Sequence, residues 1–171
     1  TTTRLRILFM FDHSKSTLTT DPNNTRAQIL ENFLAEYGHK TNFSYAFGWF
    51  DHATYLWDPS ASPPSFKNSF ALSLFDAAEF SRALNAFRGI VASGSTHYGN
   101  AFDALEIAVS QGGFVNDGSS YSVVFLSDGL PEDPGIDKYN AEPQITRFVN
   151  ELKGKAAENN RAVAFRAFAG D

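Results

Sequence analysis

The sequence predicts an α/β domain: a doubly wound, mostly parallel central sheet with one antiparallel edge strand and helices on both faces. Three observations lead there. Residues 5–11 (LRILFMF) and 121–126 (YSVVFL) are short, nearly continuous apolar runs, which is how a strand buried on both faces reads. Segments with apolar residues three and four apart, the spacing of one helix face, alternate with the strand signals. No internal repeat, low-complexity tract or linker divides the chain, so residues 1–171 are read as a single domain.

Residues 5–11 form the first strand. Residues 25–37 (TRAQILENFLAEY) follow as a helix with Ile29, Phe33 and Leu34 inward and Gly38 as its C-cap. Residues 42–50 (NFSYAFGWF) alternate as a second strand; Asp51-His52 makes a turn, and residues 53–57 return as its antiparallel partner. Residues 58–68 (DPSASPPSFKN) are a loop, since Pro63-Pro64 can neither donate to a ladder nor continue a helix. Residues 76–91 are an amphipathic helix on Phe80, Leu84 and Phe87, and residues 99–110 another on Ala101, Leu105 and Ala108. After the strand at 121–126 come a helix at 144–159, inward through Ile145, Phe148, Val149 and Leu152, and a strand at 162–168.

Composition narrows the functional classes. The net charge of −5 argues against nucleic acid, which needs a basic footprint, and is compatible with holding a cation. The absence of cysteine excludes disulfides, thiolate ligands and a Cys nucleophile, without fixing the compartment. No apolar run approaches the roughly 20 residues that span a bilayer. Seventeen Phe residues imply a core rich in large rings, with Trp49 and Trp57 as core and sheet cover. The chain opens on Thr1 with no secretory leader, so it reads as a processed or excised piece.

In such sheets ligands bind beyond the carboxyl ends of the strands. Directly after the first strand stands Asp12-His13-Ser14-Lys15-Ser16, a D-x-S-x-S sequence. Residues two apart in an extended exit project to one side, so Asp12, Ser14 and Ser16 can converge. One carboxylate with two hydroxyls is an all-oxygen set of the kind hard cations prefer. A polar loop with a serine-rich helix start is the competing reading of those five residues. Two further segments add donors: Thr96 in residues 94–101 (GSTHYGNA), a loop entering a helix, and Asp128 in Ser127-Asp128-Gly129, just past the second buried strand.

With these three segments in this order, the chain resembles the von Willebrand factor A domain and its metal-ion-dependent adhesion site. That family shows D-x-S-x-S after the first strand, a G-x-T-x-x-G-x-A-like loop before a helix, and [ST]-D-G after the fourth strand; the resemblance covers nearly the whole chain. It implies a Rossmann-like fold and Mg²⁺ (or Mn²⁺ or Ca²⁺) approached by Ser14, Ser16 and Thr96 through hydroxyls, with Asp12 and Asp128 bound directly or through water. Fewer than six protein atoms then reach the ion, so water or a carboxylate of a protein partner, from Glu or Asp, completes the octahedron. The function implied is divalent-cation-dependent adhesion or protein binding, expected outside the cell or at its surface. The alternative is an intracellular subunit of a multiprotein assembly, chelatase- or chaperone-like. Family members usually add a last helix beyond the strand at 162–168, so a C-terminal truncation or a larger parent is expected.

Four residues are candidates for the ligand rim: His13, His97, Tyr98 and Glu132. The two histidines read first as exposed loop residues that tune nothing; the alternative is that one or both contact the ligand or add pH sensitivity near neutral. Lys15 reads as a rim charge, and Glu132-Asp133 with Asp137 as solvated surface. Catalysis is not expected. A phosphatase reading of Asp12 wants a second Asp where Ser14 stands, and no G-x-S-x-G, P-loop, H-E-x-x-H or G-x-G-x-x-G sequence occurs.

Overall fold

A computed structural model of the chain describes residues 4–15, 17–68, 73–110, 120–127, 133, 135, 139–158 and 163–169. Its elements in order are β1 (Leu5–Asp12), α1 (Thr17–Thr20), α2 (Thr25–Tyr37), β2 (Phe43–Phe50), β3 (Thr54–Asp58), β4 (Ser65–Lys67), α3 (Ala77–Arg88), α4 (Tyr98–Ser110), β5 (Ser120–Ser127), α5 (Ala141–Glu158) and β6 (Val163–Ala169). The six strands form one sheet in the order β4-β3-β2-β1-β5-β6. β1 pairs in parallel with both β2 and β5, and β5 with β6, while β3 runs antiparallel to β2. This is the doubly wound, mostly parallel arrangement that the sequence predicts.

The predicted loop at 58–68 needs correction, because it contains β4, which pairs antiparallel with β3 and takes the sheet edge. Pro63-Pro64 cannot join a ladder, but Ser65, Phe66 and Lys67 beyond them can. The Phe66 ring holds the strand down, 4.9 Å from Trp57 and 5.7 Å from Phe47. β3 therefore lies one strand in from the edge.

Side chains alternate across β1, and two cores result. Ile7, Phe9 and Phe11 pack with Tyr45, Phe47 and Trp49 of β2 against Ala27 and Leu30 of α2 and Phe80, Leu84 and Phe87 of α3. Leu8 and Met10 pack on the opposite face with Phe50, Val123 and Phe125 against Tyr98, Phe102 and Leu105 of α4 and Leu152 of α5. The phenylalanines serve both layers, with edge-to-face contacts such as Phe9 on Phe80 at 5.3 Å and a stack of Phe102 on Phe148 at 5.4 Å.

Two helices differ from expectation in detail. Ile29 is 58% exposed, because the inner stripe of α2 runs through Arg26, Ala27 and Leu30, with Phe33 and Leu34 half-buried. Ile29 falls roughly 100° round the helix from that stripe's centre. α5 starts at Ala141 and takes Pro143 into its first turn, where a missing N–H leaves no helical bond unmade.

Candidate functional site

β1 leads to β2 on one side of the sheet, and the chain later returns to place β5 on the other. The carboxyl ends of β1 and β5 thus flank the switch point where ligands of such sheets bind. Asp12 closes β1 and Ser127 closes β5. The alternation that puts Leu8 and Met10 toward α4 carries Asp12 to the same side, where it is fully buried.

The Asp12 carboxylate accepts the Ser14 N–H on Oδ1 at 2.8 Å and the Ser127 hydroxyl on Oδ2 at 2.8 Å. The Thr96 hydroxyl donates to Ser14 Oγ at 2.8 Å. Asp12, Ser14 and Thr96, three of the five predicted ligands, are thereby joined by hydrogen bonds into one buried cluster, through the Ser14 N–H on one side and its hydroxyl on the other. Ser16 and Asp128 lie outside the described residues. Ser127 was missed as a participant, although its place in the S-D-G triplet was the available signal.

Backbone contacts fix the loops that bear these groups. The Thr17 N–H and hydroxyl both donate to the Ser14 carbonyl, at 3.0 and 2.7 Å, closing the turn that starts α1. The Lys15 N–H donates to the Gly94 carbonyl at 3.0 Å, tying the first loop to the Thr96 loop, while the Lys15 side chain stays exposed. The His97 N–H donates to the carbonyl of buried Asp51, at the end of β2, at 3.0 Å.

His13 does not reach a ligand rim. It is 2% exposed and faces away from Asp12, its ring 4.4 Å from Phe87 and 5.5 Å from Trp49. Its Nε2 lies 2.7 Å from the Ile90 carbonyl, which requires Nε2–H, so Nδ1 is the acceptor facing Arg26 Nη2 at 3.4 Å. Burial, and then the Arg26 charge, hold this imidazole below its usual range against the opposing pull of the Ile90 carbonyl, so the ring is neutral. Arg26 is the residue the sequence concealed: it bonds the Asp12 carbonyl, Asp21 at 2.7 Å and Asn24 at 3.1 Å, and lies over the Phe87 ring.

Tyr98 is likewise core and not rim, its ring 5.8 Å from Phe50 and 5.1 Å from Phe125. This anchors the start of α4 two residues after Thr96. His97 is half-buried, with Nε2 3.1 Å from Ser95 Oγ in its own loop. Glu132 lies outside the described residues, but Asp133, read as solvated surface, accepts the N–H groups of Tyr98 and Gly99, each at 2.8 Å.

Among the described residues no three His, Asp or Glu side chains are grouped to hold a metal. The Asp12 carboxylate with the Ser14 and Thr96 hydroxyls is an all-oxygen donor set, which fits a hard divalent cation.

No protein-family model and no curated protein matches the sequence. Solved structures do match. A von Willebrand factor type A protein from Catenulispora acidiphila superposes over 99% of this chain with a TM-score of 0.59 and 15% identity. The chain has the von Willebrand factor A fold. Manganese-loaded TRAP of Plasmodium vivax matches over 98% of the chain, with a TM-score of 0.61 and 15% identity. Proximal thread matrix protein 1 of the mussel byssus, with a zinc-occupied metal-ion-dependent adhesion site, matches over 98% with a TM-score of 0.54 and 19% identity. The chain spans 33%, 58% and 36% of those three proteins respectively, so the von Willebrand factor A fold accounts here for a part of each.

Proposed function

We propose that this chain is a divalent-cation-dependent protein-binding module that takes Mg²⁺, or Mn²⁺ or Ca²⁺ in its place, at Asp12, Ser14, Ser16, Thr96 and Asp128. The observation that carries the reading is the convergence of Asp12, Ser14 and Thr96 at the switch point, where the Asp12 carboxylate and two hydroxyls make an all-oxygen set. When bound, the ion supplies an electrophilic position that an Asp or Glu carboxylate of a protein partner can complete. Asp12 supplies the buried negative charge. Ser127 and the Ser14 N–H hold that carboxylate in one orientation, and Thr96 brings the second loop to the first. The metal-loaded neighbours and the adhesive roles in the names of others, such as the pilus adhesin RrgA of Streptococcus pneumoniae, support adhesion and a place outside the cell or at its surface. No helix among the described residues is long and apolar enough to cross a membrane.

The test is calorimetric titration of Mg²⁺, Mn²⁺ and Ca²⁺ into the native chain and into Asp12→Ala, Ser14→Ala and Thr96→Val. Saturable Mg²⁺ binding is expected in the native chain, with loss of binding of every ion in Asp12→Ala. Native-like Mg²⁺ affinity in every variant would sink the reading.

A further inference from the structure

We propose that Asp133 is a positioning residue for the metal site, clamping the Thr96 loop to the loop after β5; this rests on the metal reading above. α4 begins at Tyr98, two residues beyond Thr96, and the first N–H groups of a helix have no partner within it. Asp133 fills two of those places, accepting the Tyr98 N–H on Oδ1 and the Gly99 N–H on Oδ2, both at 2.8 Å. A carboxylate across a helix N-terminus also meets the positive end of the helix dipole. In sequence Asp133 is five residues past Asp128 and 34 past Gly99, so the cap comes from a separate loop. One side chain, five residues past Asp128 in sequence, therefore holds the start of the helix that follows Thr96.

Gly99 supplies the second, independent observation. A Cβ placed there would stand 2.8 Å from Asp133 Oδ2, inside contact distance, with the Phe148 ring edge at 3.9 Å behind. The glycine lies within a helix, where alanine is ordinarily the better residue. Its absent side chain makes room for the Asp133 carboxylate. Tyr98, locked between Phe50 and Phe125, fixes the other side of the same turn. Thr96 is thus held between an aromatic anchor and a charged clamp, so that its hydroxyl meets Ser14 Oγ.

The inference separates two perturbations that reach the clamp from opposite sides. Asp133→Ala removes the carboxylate; Gly99→Ala leaves it in the chain but displaces it. Each should weaken Mg²⁺ by roughly 10- to 100-fold, the scale on which groups orienting metal ligands act. Asp133→Asn, which offers one acceptor for two donors, should fall between native and Asp133→Ala. Hydrogen exchange of the Tyr98 and Gly99 amides, measured without metal, should speed up in all three variants. Thermal unfolding separates positioning from stability: loss of the cap should lower the midpoint by only about 1–8 °C, leaving each variant folded at the temperature where its Mg²⁺ affinity is lost. If Asp12→Ala loses Mg²⁺ while Asp133→Ala and Gly99→Ala bind it as the native chain does, the metal site stands and the clamp is refuted. If Asp12→Ala itself binds normally, the metal reading fails first and the clamp falls with it.

Discussion

Arg26→Ala should be among the most damaging single substitutions in the chain, although Arg26 is neither a proposed ligand nor part of an apolar core. The residue is 8% exposed. Its Nε donates to Asp21 Oδ2 at 2.7 Å, Nη2 to Asn24 at 3.1 Å, and Nη1 to the Asp12 carbonyl. Asp21 is mostly covered as well, with 14% side-chain exposure. Burial alone would push its carboxyl up, but the N–H groups of Thr25 and Arg26 and the guanidinium outweigh that and hold it below the usual carboxylate range. Removing one partner of a buried pair costs about 3–5 kcal/mol, mainly because the other charge stays buried without compensation. The Asp12 carbonyl and His13 Nδ1 each lose a donor too. For a domain of this size that loss corresponds to a fall of roughly 6–20 °C in the unfolding midpoint. Urea titration of the native chain, Arg26→Ala, Asp21→Ala and the double variant would measure both the loss and the coupling. A single-variant loss under about 1 kcal/mol, the range of an exposed pair, would refute the reasoning.

Gly94→Ala should destabilise by about 1–3 kcal/mol. Its φ of 76° is left-handed, and a Cβ would stand 2.8 Å from His52 Nδ1 and 3.2 Å from the Asp51 carboxylate; unchanged urea stability would show that the loop adapts freely. Glu106→Gln should stabilise at neutral pH. Burial first, then Glu151 and Asp103, raise the Glu106 pKa above 4.5, so the folded state holds a proton that the unfolded state has released. Stability is therefore lost as pH rises through that window, and glutamine abolishes the loss. The gain should vanish below pH 4.5, and an equal gain at all pH values would contradict the electrostatic cause.

The strands and the first part of the site were legible because their signals are local. A doubly buried strand shows as an unbroken apolar run, and the exit from β1 shows Asp12 and Ser14, which the structure brings to one cluster, at a spacing of two. Direction was less legible. His13 and Tyr98 sit in polar loops by sequence, yet each turns into a core because the residue beside it turns toward the site. Arg26 gave no sign at all, since its partners at Asp12 and Asp21 are set by the angle at which α2 meets β1. Asp133 looked like one of a run of surface acids; only the meeting of two distant loops shows the N–H groups it accepts. β4 was hidden by the prolines before it, which mark where a ladder cannot start and say nothing of the three residues after them.

The alternation along β1 has a consequence for what evolution can alter here. Ile7, Phe9 and Phe11 belong to one core, Leu8 and Met10 to the other, and Asp12 and His13 continue the two series. A slip of one residue in β1, or a single deletion within it, would carry the carboxylate under Phe87 and bring the imidazole to the mouth of the sheet. The chain therefore cannot lose its packing register and keep its oxygen site.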